Sequence, residues 1–237
     1  MQLTVQEASK FLDVSESTVT RWIKQRGLPA QHVGGQFRFN RAELLEWAAA
    51  NQVKVSLDLF DSGDSDQDEI PSLAEAMEAG GVFYDLEGAD RERALRALVR
   101  VLPLPESIDR ELLFQLFIAR EASASTAIGG GIAMPHARNP LILRVERPLV
   151  ALCYLARPVD FAAMDGKPVQ LFFSLICPTM RSHLQVLSRL SFALHDAKFK
   201  DAVMRQASRD EILGEARRIE AIQHLPESEL PSGKAMD

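Results

Sequence analysis

Two uninterrupted apolar runs, "LVALCYLA" (149–156) and "VQLFFSLICP" (169–178), constrain this chain more than any other feature. Neither alternates with polar residues, so neither is a strand with one wet face. Both are too short to span a bilayer, and the second stops at Pro178. They read as strands buried on both faces, which requires helices packed on each side of a sheet. Helical patterns of the right kind surround them. "DRERALRALVRVL" puts Leu95, Leu98, Val99 and Leu102 on one face, and "DRELLFQLFIARE" follows it as a second helix. "HLQVLSRLSFALHD" repeats Leu184, Leu187, Leu190 and Leu194. Ser72-Leu-Ala-Glu75 is a capping box, Gly80-Gly81 ends that helix, "VFYDL" alternates as a strand, and Ser208-Arg-Asp-Glu211 caps the last helix. The expectation is a layered α/β domain over 72–224, with a mixed sheet flanked by helices.

The first fifty-five residues follow a different rule. Thr4-Val-Gln-Glu7 is a capping box for a helix that buries Ala8, Phe11 and Leu12. Ser15 or Ser17 caps a second helix through Thr18–Arg26, with Val19, Trp22 and Ile23 inward and Gly27 as its stop. "AQHVGGQFRFN" reads as a hairpin around Gly34-Gly35, and Asn40 caps a third helix, Arg41–Ala50. Helix, turn, helix, wing and helix make a small winged helix-turn-helix over residues 1–55. Between the two parts, "SLDLFDSGDSDQDEIPS" carries six acids and little apolar periodicity, so 56–71 reads as a flexible acidic linker. Residues 225–237 read as a disordered tail.

Charge divides the chain in the same place. The whole carries a net charge of -6, which argues against a protein that coats nucleic acid. Residues 1–55 nevertheless hold seven Lys/Arg against five acids, and the rest holds 20 against 28. No basic-then-apolar leader opens the sequence, and the two cysteines, Cys153 and Cys177, sit in apolar runs. The expectation is a cytoplasmic protein with reduced, buried thiols, no membrane contact and no metal site.

The N-terminal segment resembles the excisionase/MerR family of DNA-binding domains, most specifically in S-x-S-T-V-x-R-W-I on the second helix and G-G-Q-F-R-F in the wing. With Trp22 and Ile23 turned inward, the second helix leaves Ser17, Thr18, Arg21 and Lys24 outward. Hydroxyls and cations are the groups that read base edges and grip phosphates. Wing residues Gln36 and Arg38 are the candidates for phosphate or minor-groove contact. So weakly basic a module makes few phosphate contacts, which favours a homodimer on one duplex.

The stretch "LFIAREASASTAIGGGIAMPHAR" poses a separate question, because three consecutive glycines are costly to order. The run is no P-loop, lacking the Lys-Ser/Thr that must follow it, and its spacing does not fit a dinucleotide turn. It resembles the enzyme IIA domain of the bacterial phosphotransferase system, of the fructose/mannitol/nitrogen-regulatory type, over roughly 72–222. "ARE", ST-x-I-G-x-G-I-A-x-P-H-A-R and "HLQVLSRLS" carry the likeness, while Ala127 stands where the family often has glycine and Gly130 where it often has a polar residue. By that resemblance His136 accepts a phosphoryl group from an HPr-type or NPr-type carrier, and His183 orients the phosphate. Arg120 and Thr126 stabilise the phosphate, and the Gly129, Gly130 and Gly131 backbone cradles it, with no cofactor. The implied function is a phosphorylation-responsive regulator acting on DNA or on protein targets, a carrier rather than a turnover enzyme. Two other readings stay open: a phosphocarrier for a sugar-specific phosphotransferase system, and a winged-helix transcription factor whose second half senses without chemistry.

Overall fold

The computed structural model of the chain describes residues 2–51, 53, 55, 72–137 and 145–223. The acidic stretch 56–71 and the tail 225–237 lie outside the described residues.

The N-terminal part begins with strand β1 (Gln2–Leu3) and helix α1 (Val5–Phe11), whose capping box is made by Thr4 and Glu7. Asp13, with φ 50°, turns the chain into α2 (Glu16–Gln25). Ser15 is the cap, its hydroxyl accepting from the Thr18 N–H, so α2 starts two residues before the sequence suggests. Gly27 sits at φ 62° just beyond the helix, and Gly34 and Gly35 at 58° and 81° turn the wing between β2 (Gln31–Val33) and β3 (Gln36–Asn40). The short sheet runs β1-β3-β2, and α3 (Arg41–Ala50) follows directly. Trp22 and Trp47 meet at 5.3 Å, and the Arg26 guanidinium lies over both rings.

The larger part contains α4 (Leu73–Gly80), β4 (Val82–Leu86), α5 (Arg91–Val101), α6 (Arg110–Ser123), β5 (Ala127–Gly129), β6 (Ile132–Ala133), β7 (Leu149–Val159), β8 (Val169–Ile176), α7 (Met180–His195), α8 (Ala197–Met204) and α9 (Arg209–Gln223). The sheet order is β4-β7-β8-β6-β5, with parallel and antiparallel pairs mixed. β7 and β8 are buried on both faces, as their composition requires. Val150, Leu152 and Tyr154 join Leu171, Phe173 and Leu175 in one core, while Ala151, Cys153 and Leu155 join Phe172 and Ile176 in the other. Helices α4, α7, α8 and α9 cover the first face, and α5 and α6 cover the second. Gly80 brings α4 against β7 so closely that a Cβ there would lie 2.2 Å from the Val150 carbonyl oxygen. Both cysteines are buried and unpaired, and burial pushes the Cys177 thiol up to about 12. None of the described helices is long and apolar enough to cross a membrane.

The two parts share one core, which the sequence does not announce. Helix α3 packs against α7 and β5. Leu44, Leu45, Trp47 and Ala48 belong to the same continuous apolar cluster as Ile132, Met134, Leu184 and Leu187, with Ile128, Val53 and Val55 packed at its margin.

Candidate functional site

The site forms where β6 runs out beside β8. His136 lies three residues past β6 and forms a single parallel bridge with Leu175 near the end of β8. Ile132 and Met134 face the core shared with α7, so strand alternation carries His136 to that same side. The buried Ser174 hydroxyl donates to the Pro135 carbonyl at 3.1 Å and fixes the loop just before the histidine.

Thr179 caps α7 by accepting from the Ser182 N–H, and this puts His183 in the first turn of the helix. Its ring centroid is 5.1 Å from that of His136, with the planes tilted by 40°. The two residues are only 3% and 2% exposed. His136 Nδ1 lies 2.7 Å from the Met134 carbonyl oxygen. A carbonyl can only accept, so in the neutral ring Nδ1 carries the proton and donates, and Nε2 bears the lone pair. The arrangement prepares Nε2 as a nucleophile and holds the ring in one tautomer.

Arg120 stands in the last turn of α6, is 8% exposed, and donates from Nη1 to the Ala124 carbonyl at 2.8 Å. Thr126 lies beside Met134, whose N–H donates to the Thr126 carbonyl. The Thr126 N–H and hydroxyl both donate to Glu121 Oε2, at 2.9 and 2.6 Å. The hydroxyl proton is therefore already committed to a buried carboxylate. Glu121 in turn has Arg91 at 3.8 Å. Glu121 carries no role in a reading of the sequence, although it stands inside "ARE"; its buried position and its grip on Thr126 give it one.

The glycine run does not do what the motif suggests. Gly129, Gly130 and Gly131 have φ of 86°, 63° and 82° and form the turn of the β5–β6 hairpin. That turn lies at the far end of the hairpin from His136. The Gly130 N–H is taken by Asp165 Oδ2 at 2.8 Å, and the Gly131 carbonyl accepts from the Gln170 and Leu171 N–H groups. The cost of three glycines is explained by three left-handed residues in succession, a backbone that side chains rarely adopt. The Gly130 and Lys167 N–H groups hold the Asp165 carboxyl below its usual range. The described contacts tie this backbone to Asp165 and Gln170 instead of aiming it at the histidine.

The candidate DNA-contacting residues are on the surface as expected. Ser17, Arg21 and Lys24 are exposed along α2, and Thr18 is half-buried beside them. The Ser17 and Thr18 hydroxyls both lie within hydrogen-bond distance of Ser15 Oγ. In the wing, Arg38 Nη2 donates to Gln36 Oε1 at 2.9 Å, so these two act as one unit. Trp22 and Ile23 are half-buried against the core.

Comparison with known proteins agrees with both halves. The family described as "Phosphoenolpyruvate-dependent sugar phosphotransferase system, EIIA 2" matches residues 75–215, and a helix-turn-helix domain family matches residues 3–52. A nitrogen regulatory protein of Pseudomonas aeruginosa is 33% identical over 133 residues, which is 54% of this chain and 84% of that protein. A PTS system fructose-specific EIIA component of Haloferax volcanii is 34% identical over 106 residues, covering 44% of this chain and 67% of that protein. The crystal structure of the nitrogen regulatory protein IIA-Ntr from Neisseria meningitidis superposes with a TM-score of 0.53 at 29% identity, covering 61% of this chain and 98% of the other.

Proposed function

The chain belongs to the EIIA 2 family of the phosphoenolpyruvate-dependent sugar phosphotransferase system, and on that premise we propose that it is a nitrogen-regulatory-type phosphoacceptor whose phosphorylation state is coupled to DNA binding. His136 is the acceptor. Its Nε2 lone pair forms the new P–N bond while the bond from phosphorus to the carrier's own ring nitrogen breaks, that nitrogen leaving with the electron pair. The Met134 carbonyl, accepting from Nδ1, supports the positive charge that develops on the ring. His183 is placed to orient the phosphoryl oxygens. Arg120 and Thr126 stabilise them once the Thr126 hydroxyl turns from Glu121. The donor is an HPr-type or NPr-type carrier, and the DNA contacts are Ser17, Thr18, Arg21, Lys24, Gln36 and Arg38. In this reading the functional units are residues 1–55 and 72–224, joined by 56–71, and the protein works in the cytoplasm.

The packing of α3 on α7 and β5 is the observation that carries the coupling. Helix α7 carries His183, β5 pairs with the strand that leads into His136, and the histidine pair is closed off from solvent. A carrier must reach His136, and a phosphoryl group adds roughly two negative charges to a dry pocket. Both events work against the docked position of α3. By linkage, docking of the winged helix and phosphorylation of His136 weaken each other by the same factor.

Incubation with phosphoenolpyruvate, enzyme I and an HPr-type carrier tests the proposal by intact mass. The expected result is one acid-labile phosphate in the wild type and none in His136→Ala, with the phosphorylated chain differing from the unphosphorylated chain in DNA affinity. No phosphate on the folded wild type overturns the acceptor assignment and leaves a winged-helix sensor. A phosphate with unchanged DNA affinity overturns the coupling and leaves a phosphocarrier.

A further inference from the structure

At the other end of the sheet from the histidines, a cavity of about 570 Å³ opens between α5 and the ends of β4 and β7. Arg93, Arg96 and Arg100 stand at i, i+3 and i+7 on one stripe of α5, and Arg157 closes the opposite side from β7. Glu87 is the single acid on the wall. Three positive charges in excess therefore line one concavity in a chain whose net charge is -6. Gly88 lets the wall close on α5, since a Cβ there would lie 2.5 Å from the Ala94 Cα.

One of the four cations is held in place. The Arg96 guanidinium lies 3.8 Å from the centroid of the Phe114 ring, and its Nη1 donates to Glu111 Oε2 at 2.8 Å. The Gln115 amide also donates to Glu111, and these two bonds hold that carboxyl below its usual range. Among the described residues Arg93 is paired with Asp90, at 3.5 Å. Arg100 and Arg157 form no ion pair with any described residue and are exposed. Arg100 and Arg157 thus converge on one opening without a matching acid among the described residues, beside an Arg96 already stacked on Phe114 and bonded to Glu111. Guanidinium forks match phosphate oxygens in a bidentate way, and the volume exceeds what one inorganic anion fills.

We propose that this cavity binds a small molecule carrying two or more phosphoryl groups, a sugar bisphosphate or a nucleoside diphosphate. The site is independent of His136. The histidine is level with Val150, and the Ala156–Arg157 wall lies about 20 Å further along β7. A concave wall with small residues between the cations suits a compact polyanion better than the continuous ridge of a duplex backbone.

The test is calorimetric titration of the full chain with fructose 1,6-bisphosphate, ADP and inorganic phosphate, repeated on two variants. Wild type is expected to bind one of the two diphosphorylated probes at least about tenfold more tightly than inorganic phosphate, and the preferred probe tells sugar from nucleoside. The double variant Arg100→Gln/Arg157→Gln, both exposed positions, is expected to lose at least about tenfold in that affinity. Glu87→Gln is expected to gain affinity, a change that damage to the fold does not produce. The proposal is overturned if no probe binds at about 1 mM, if inorganic phosphate binds as well as the others, or if the double variant binds unchanged. A double variant that loses DNA affinity while no small probe binds reassigns the arginines to the nucleic-acid backbone, which also overturns it.

Discussion

Polar side chains on α2 and polar side chains around His136 are used in opposite ways. On α2, Ser17, Arg21 and Lys24 face water and are not built into the packing. Around the histidines, Glu121, Thr126, Ser174 and His183 are buried, and the first three are tied to a specific neighbour. The exposed set can meet a ligand with no rearrangement. The buried set can meet one only after something moves, which makes its availability adjustable. One chain thus holds a surface that is always ready and a pocket that has to be opened.

The strongest way to break this contrast is to open the pocket without touching it. Ile128 is the β5 side chain at the margin of the core shared with α3, and a carboxylate cannot stay there. Ile128→Glu is expected to undock α3 and speed phosphate incorporation from the carrier at least about tenfold. An unchanged rate in a variant that keeps its circular dichroism would mean that docking does not hide His136. Next in size, Thr126→Val removes a buried donor to Glu121 and is expected to cost about 1–3 kcal/mol, read from the urea midpoint. Ser17→Ala, its exposed counterpart, is expected to stay within about 0.5 kcal/mol. Equal costs would erase the distinction between the two regions.

A smaller effect sharpens the exposed side. Arg21→Gln is expected to lower the log–log salt slope of DNA binding by about one, with similar loss on any sequence. A slope that does not move would take Arg21 off the phosphate backbone. Smallest of all is an intermediate case, the half-buried Asp196 that caps α8. Burial alone would raise its carboxyl, but the Phe199 N–H and the Arg218 guanidinium outweigh that and hold it below 3.8. Its contribution is therefore present above the unfolded value and lost as pH falls through the lower folded one. Asp196→Asn is expected to flatten the urea midpoint against pH below about 4.

What could be read from sequence follows from how local each signal is. The buried strands β7 and β8, the amphipathic α5 and α7 and the wing glycines announce themselves within a dozen residues. Strands β1, β5 and β6 run only two or three residues, too short for any period, and α8 hides between two longer helices. The motif around His136 is what singles it out as the proposed acceptor, but a glycine looks the same in sequence whether it opens room for a ligand or supplies a left-handed turn. Asp165 and Gln170, the partners that decide between those uses, lie more than thirty positions downstream. Glu121 stood in the quoted motif, and only its distance to Thr126 reveals its task. Leu44, Leu45, Trp47 and Ala48 lie within one short helix, and nothing local in it tells which core they join.

That shared core has a consequence for the order of synthesis. Helix α3 leaves the ribosome first, and the helix it packs on ends at His195. At elongation rates of about 5–20 residues per second the interval between Ala50 and His195 is roughly 7–30 s. Through that interval the winged helix exists with its reading surface complete and the face that packs on α7 uncovered. In the coupling proposed above, a newborn chain therefore passes through the undocked arrangement before its histidine pocket exists, and α3 can dock only after α7 is made.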